Sequence, residues 1–146
     1  VYEKGDNGFA DAPKVTTTNT ADGKVRFPSI SYGQEEMDGI PVGEGTLLFS
    51  PACKAIRGRL ALADGETTVN INALRIRKAY EGKGYISGLV RFMERYAKDQ
   101  GFSRITIGVE ASEARNLGIY LHWGYNKLVM HETEDDELIL YYGKDL

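Results

Sequence analysis

A glycine-rich turn between a strand-like segment and a helix-like segment is the most informative candidate site in this chain. Residues 74–85 read Leu-Arg-Ile-Arg-Lys-Ala-Tyr-Glu-Gly-Lys-Gly-Tyr, and an amphipathic run follows directly. The first amides of a helix have no partner within the helix and lie at the positive end of its dipole. Gly82 and Gly84 lack a Cβ, so a phosphate can approach their backbone closely. Taken alone, the spacing is more typical of an ordinary strand-to-helix connection, and a phosphate-binding turn is the functional alternative.

A second candidate segment carries an aromatic hydroxyl near the end of a later helix. Tyr120 lies four residues before Gly124, and Tyr125 follows that glycine. A phenol can donate a proton to a leaving group during catalysis. Taken alone, the same pattern is more typical of core packing, and both interpretations stay open at this point.

Composition and charge exclude several classes of function. The 146 residues suit one domain (1–146), and the net charge of −3 argues against a nucleic-acid partner. No apolar run approaches the roughly 18 residues of a membrane span and no secretory signal is recognisable, so we expect a cytoplasmic protein without a membrane partner. Cys53 is the only cysteine, and its distance in sequence from both histidines predicts no metal site. Because the chain begins with Val1 rather than Met, we expect that the natural N-terminus is missing.

The elements that position these segments follow from the spacing of apolar residues. Residues 1–45 predict an irregular segment with one hairpin, formed by Val15–Asn19 and Lys24–Tyr32. Later strands are predicted over 45–50, 55–63, 67–77 (with an irregularity near Ala73), 103–109, 125–131 and 137–142. Helices are predicted from Ile86 to a stop at Gly101, and from an N-cap at Ser112 to Gly124. The order strand–helix–strand–helix–strand–strand indicates a βαβ crossover within a mixed sheet.

The turn, its helix, a strand and the tyrosine segment, in that order, resemble the GNAT superfamily of acyl-CoA-dependent N-acyltransferases. The motifs of that family are V-x-P-x-Y-R-G-x-G-I-G and N-x-x-A-x-x-x-Y-x-x-x-G-F. Their positions are matched here by Ile76, Tyr80, Gly82, Gly84, Tyr120, Gly124 and Tyr125. The resemblance covers residues 46–146, the acyl-CoA-binding core. It implies an α/β (α+β mixed sheet) fold with a mostly antiparallel central sheet and a β-α-β-α-β-β C-terminal half.

The chain departs from the family motifs at positions that bear on the cofactor. Lys78 replaces the usual proline, Glu81 stands where Arg or Gln is usual, and Ile86 would crowd a phosphate where the family has Gly or Ala. Glu113 occupies the usual Asn position, while Asn116 lies one turn on and faces the same side of the helix.

The resemblance also implies the cosubstrate and the site residues. Acetyl-CoA would lie between the first motif strand and residues 103–109, where those strands splay apart, and bond to backbone groups as a strand does. The residues implied to bind it are Leu74, Ile76, Glu81, Gly82, Lys83, Gly84, Tyr85, Ile86 and Asn116. Tyr120 would protonate the leaving thiolate. Glu110 is the best-placed base for the amine, with a water relay as an equal alternative and His122 or His131 as weaker ones.

The function expected from the resemblance is acetyl transfer to a primary amine of a small molecule or peptide. An acidic cluster in the last turn is more typical of a solvated turn, with attraction of a cationic acceptor as the alternative; its members are Glu132, Glu134, Asp135, Asp136 and Glu137. The helices that normally wall the acceptor site are missing, so residues 25–45 are expected to cover it as a loop or strand, or a second subunit in a homodimer to complete it, with a surface segment of no role as the alternative. Because Glu81 and Ile86 depart from the family motifs, a second class of function stays open: a weak or inactive module that binds acyl-CoA and acts through a partner.

The chain has no Gly-x4-Gly-Lys-Ser/Thr run, which disfavours a nucleoside-triphosphate site.

Overall fold

The described part of the chain forms one mixed sheet with two α-helices. A computed structural model describes residues 14–16, 24–29, 43–53, 56–82 and 84–146. The elements are β1 (Lys14–Thr16), β2 (Lys24–Ser29), β3 (Gly43–Leu48), β4 (Thr68–Ile76), α1 (Tyr85–Asp99), β5 (Arg104–Glu110), α2 (Ala114–His122), β6 (Lys127–Glu134) and β7 (Glu137–Asp145). Neither described helix has the length and apolar composition that a membrane span needs.

The seven strands lie in the order β1-β2-β3-β4-β5-β7-β6. Strands β4 and β5 are parallel, and every other neighbouring pair is antiparallel. A parallel pair needs a crossover connection, which α1 supplies here. The structure therefore confirms the predicted mixed, mostly antiparallel sheet and the order of its C-terminal elements.

Helix α1 covers one face of the sheet, which we call the helix face. Its apolar stripe packs against Val69, Ile71, Ile105 and Ile107 of the two parallel strands. The helix ends where Gly101 takes φ 95°, and the Phe102 N–H donates to the Ala97 carbonyl over 3.0 Å. This left-handed glycine after the last turn confirms the predicted stop.

The opposite face, which we call the loop face, is covered not by a helix but by a loop segment that contributes Cys53, Ile56, Leu62 and Ala63. The strand predicted over 55–63 is wrong, because the described part of this segment forms successive turns. The N–H groups of Ile56, Arg59 and Leu62 each donate to the carbonyl three residues earlier, over 3.0, 2.8 and 2.9 Å. Ile56 and Leu62 are buried while Leu60 is 61% exposed. The apolar residues of this segment thus reflect turns that bury Ile56, Leu62 and Ala63 against the sheet.

The N-terminal third contributes strands to the sheet. Strand β1 pairs with β2 in the predicted hairpin, β2 pairs with β3, and Val25 is buried in the main core. Residues 25–29 and 43–45 therefore form strands of the sheet, and whether they border an acceptor stays a prediction. Residues 17–23 and 30–42, on which the rest of that expectation falls, lie outside the described residues.

Candidate active site

The two parallel strands separate towards their C-terminal ends. Their pairing runs from Thr68 opposite Arg104 to Ile71 opposite Ile107, where it stops. Ala73 follows with φ 54°, and the pairing of β3 with β4 shifts register beside it. A bulge of this kind bends its strand and interrupts the ladder. The irregularity predicted near Ala73 is confirmed, and it leaves a gap between residues 72–76 and 108–110.

A cavity of about 330 Å³ opens beside this gap, and we call it the turn cavity. Eight residues predicted to bind the cofactor line it together: Leu74, Ile76, Glu81, Gly82, Gly84, Tyr85, Ile86 and Asn116. Lys83, the ninth, lies outside the described residues. The fold thus brings β4, the glycine turn and α2 around a single space.

The glycine turn presents backbone to that space. Gly82 has φ 74° and Gly84 has φ 83°, a left-handed conformation that glycine adopts without a steric penalty. Gly84 is the N-cap of α1, and no side chain caps the helix there. The first helical bond runs from the Gly88 N–H to the Gly84 carbonyl over 3.0 Å, so the preceding amides of the first turn have no acceptor within the helix. An anion in the turn cavity can accept from them.

The side chains that depart from the family motifs differ in their placement. Ile86 is half-buried and packs against the main core; a Cβ built on Gly43 would lie 3.6 Å from its Cδ1. Glu81 is exposed at the cavity. The Tyr85 ring is buried against Tyr80, with ring centroids 5.7 Å apart, so this side chain belongs to the core.

Tyr120 lies on α2 with its ring 5.7 Å from that of Trp123. Burial, with a further contribution from the negative charge of Glu113, raises the pKa of the Tyr120 phenol. The phenol therefore holds its proton at neutral pH and can donate it.

The start of α2 differs from the prediction. The helix begins at Ala114 after Glu113, and the N-cap predicted at Ser112 is wrong. The Ser112 hydroxyl donates to Glu137 Oε2 over 3.4 Å and so is drawn to the last hairpin. Asn116 Nδ2 donates to Glu113 Oε2 over 2.7 Å, which confirms that these two side chains share one side of the helix.

A second cavity, of about 540 Å³, lies on the loop-face side of the gap, and we call it the sheet cavity. Leu74, Asn116 and Tyr120 line both cavities, so the two spaces meet at the tyrosine. Glu110 also lines the sheet cavity, where it ends β5. The structure thus places Tyr120 and Glu110 on the same space.

The far wall of the sheet cavity is a buried tyrosine that lies across a glycine. A Cβ added to Gly108 would approach Tyr141 Cε1 to 2.7 Å, so only glycine leaves room for this ring. The Tyr141 hydroxyl donates to Glu132 Oε1 over 2.8 Å, and Arg59 forms an ion pair with the same oxygen over 3.1 Å. Burial and the bond to Glu132 raise the pKa of Tyr141 to about 12.

Several residues that line the two cavities were not among the site residues predicted from the sequence. In the turn cavity they are Arg75, Arg115, Ile119 and Trp123, and in the sheet cavity they include Arg59, Asn70, Asn72 and Tyr141. Among them, only Arg115 could have been predicted from the sequence, because it is a cationic residue at the start of the helix that contains Tyr120. The loop-face residues come from distant segments and carry no local signal.

The remaining candidates, apart from Glu134, line neither of the two cavities. His122 and His131 are exposed and line neither of them. Within the described ranges, no group of three or more His, Cys, Asp or Glu side chains is arranged to hold a metal ion. In the acidic turn, Glu134 lines the sheet cavity, whereas Asp135 and Asp136 form the bend with φ 50° and 65°.

A sequence model described as the acetyltransferase (GNAT) family matches residues 13–125, most of the chain. This chain belongs to the GNAT family. Membership supports a transferase of acyl groups that uses an acyl-CoA donor. No curated protein matches this GNAT sequence.

Solved structures show the same fold. The IAA acetyltransferase from Bacillus cereus is 18% identical with a TM-score of 0.52, over 72% of this chain and 70% of that one. A GNAT acetyltransferase from Elizabethkingia anophelis, solved with acetyl-CoA bound, is 16% identical with a TM-score of 0.55, over 76% and 72%. A proposed acyl-CoA N-acyltransferase from Klebsiella pneumoniae is 15% identical with a TM-score of 0.59, over 85% and 73%.

Proposed function

We propose that this GNAT protein transfers an acetyl group from acetyl-CoA to a primary amine by direct attack. One observation carries the proposal: the turn cavity and the sheet cavity meet at Tyr120, where β4 and β5 separate. A donor on one side of the gap and an acceptor on the other would bring their reacting atoms together at a proton donor.

The turn cavity suits the donor. The diphosphate would accept from the amides at the start of α1, where the helix dipole favours negative charge. The pantetheine arm would bond to the backbone of Leu74 and Ile76 along the unpaired edge of β4. Arg115 on α2 lines the same cavity and adds a positive charge for a phosphate.

The chemistry needs a neutral amine, a polarised thioester carbonyl and a proton for the leaving sulfur. The amine nitrogen attacks the thioester carbon, and a backbone N–H near Ile76 stabilises the oxyanion. When the carbon–sulfur bond breaks, Tyr120 donates its proton to the thiolate. The proton lost by the amine goes to Glu110, directly or through water.

Two measurements test the proposal on the whole chain. A thermal shift with acetyl-CoA reports binding, because ligand at about 100 times its Kd adds about 2.7 kcal/mol to the free energy of unfolding. Thiol release with a panel of primary amines reports transfer. Binding without release would favour the module that acts through a partner. The absence of any shift would overturn the assignment of the turn cavity.

A further inference from the structure

The sheet cavity carries an excess of negative charge. Its described lining contains the carboxylates of Glu110, Glu113 and Glu134 and one cationic side chain, Arg59. Arg59 is already paired with Glu132, which is not part of the lining. Glu113 accepts a hydrogen bond from Asn116. Within the described part of the chain, the side chains of Glu110 and Glu134 have neither an ion pair nor a hydrogen bond.

A buried amide oxygen in the same lining lacks a donor. Asn70 is only 4% exposed, and its Nδ2 donates to Thr106 Oγ1 over 2.9 Å. The single Thr106 hydroxyl proton goes to a backbone carbonyl, that of Leu62 at 2.8 Å or Val69 at 3.1 Å. This arrangement fixes which end of the amide faces Thr106. The Asn70 Oδ1 has no donor among the described residues, and a buried acceptor left in that state calls for a ligand or a water.

The two unpaired carboxylates come from different strands of the sheet, β5 and β6. Glu110 pairs with Ile139 across β7, Ile139 pairs with Glu132 on β6, and Glu134 lies two residues further along the same face. Neighbouring strands lie about 4.8 Å apart, so the backbones at Glu110 and Glu134 are at least roughly 10 Å apart. Each carboxylate can pair with an ammonium group of its own, so a molecule with two ammonium groups can occupy both positions.

We infer that the acceptor carries a second cationic group besides the amine that is acetylated, as a linear diamine or polyamine does. The inference rests on the proposed function for the reacting amine, which lies beside Tyr120 and Glu110. The distal ammonium binds at Glu134, and Asn70 Oδ1 accepts an N–H from the bound acceptor. An amino-acid acceptor fits less well, because the one described cation of the lining is engaged by Glu132.

The test compares 1,4-diaminobutane with 1-aminobutane, which has the same carbon chain and one charge fewer. Calorimetric titration without acetyl-CoA should show at least about fivefold tighter binding of the diamine, the effect of one unit charge at about 4 Å in water. Glu134→Gln should remove this preference and leave the weak binding of the monoamine unchanged.

Asp136→Asn is the matched control, since it removes the same charge from the same turn but does not line the cavity. It should keep the diamine preference to within about twofold, as expected for an exposed, screened charge. Equal losses in both variants, or a diamine that binds no better than the monoamine, would overturn the inference. The thermal shift with acetyl-CoA alone judges the proposed function separately, because it contains no amine.

Discussion

The two cavities lie on one gap in the sheet but are built from different materials. The turn cavity depends on backbone: two glycines, the first amides of α1 and the unpaired edge of β4. The sheet cavity depends on side chains from the 56–67 loop, β4, β5, α2 and the last hairpin. Backbone amides present the same groups whatever the surrounding side chains are, whereas a surface assembled from side chains changes with each of them. The proposed donor site can therefore be common to a family, whereas the lining of the proposed acceptor site can differ from one chain to the next.

The largest effect is expected where the two cavities meet. Tyr120→Phe keeps the ring and removes the proton donor, so kcat should fall at least about tenfold, within the 10²–10⁴-fold range of general acid catalysis. Affinity for acetyl-CoA should change little. Tyr142→Phe is the control, because this ring packs against the same core and lines neither cavity. Full activity in Tyr120→Phe would assign Tyr120 to packing alone.

The pH profile of the unaltered chain tests the same group. The phenol donates in its protonated form, which predominates below its pKa. Burial and the charge of Glu113 raise that pKa above the ordinary tyrosine value. The midpoint of the loss of proton donation should therefore lie above the ordinary tyrosine pKa of about 10. A fall in kcat that is centred below that pH and disappears in Tyr120→Phe would contradict this role.

Added side-chain volume should destabilise the protein more on the loop face, at Gly108, than on α2, at Gly118. Gly108→Ala forces a Cβ against the Tyr141 ring and should lower the free energy of unfolding by about 1–3 kcal/mol, the usual result of overpacking. Gly118→Ala on α2 meets no atom within 4 Å and should raise it by up to about 1 kcal/mol. Chemical denaturation measures both. In Gly108→Ala, acceptor KM should rise while acetyl-CoA affinity is kept; the reverse pattern would place Tyr141 outside the acceptor site.

Adding a single methyl group at the glycine turn should weaken the binding of acetyl-CoA. Gly84→Ala should weaken acetyl-CoA binding by about tenfold, or about 1.4 kcal/mol. The residue has a positive φ, so the change also strains the backbone by about 1–2 kcal/mol. Gly101→Ala carries the same strain at φ 95° in open space far along α1. Titration of both variants at a temperature where both are folded separates the effects, since equal affinities would remove the turn from the binding site.

The smallest effect is expected at the acidic residue of the turn. Glu81 is exposed beside the proposed diphosphate position, so Glu81→Gln should tighten acetyl-CoA binding by about twofold to fivefold at low salt. The gain should diminish at higher ionic strength. Glu66→Gln removes an exposed charge that lines neither cavity and serves as the control. Equal affinity in both variants would place the diphosphate away from Glu81.

Local sequence patterns were sufficient to predict the elements of the helix face. The stripe of α1, the stop at Gly101 and the irregularity near Ala73 were predicted from spacing alone, because each depends on residues close in sequence. The resemblance added Leu74, Asn116 and Tyr120, which the structure brings to one gap. Which of them contact a cofactor stays a prediction.

The predictions for the loop face and the start of α2 were wrong, and the reason is also physical. The apolar residues of 55–63 are compatible with a strand and also with a series of turns packed on a sheet, and only the tertiary contacts of Ile56 and Leu62 decide between them. Ser112 has the chemistry of an N-cap, but the hairpin carboxylate of Glu137 competes for its hydroxyl.

The sequence by itself determined the glycine turn, the order of elements after residue 67 and the presence of a phenol near the end of α2. These follow from steric and hydrogen-bonding preferences that act over one or two turns of chain. Only the tertiary structure decided that β4 and β5 part after Ile71, that Tyr120 faces both cavities, and that Asn70 and Glu134 share a lining. Those relations join segments 36 or more residues apart, and strand register and packing set them where local preference cannot.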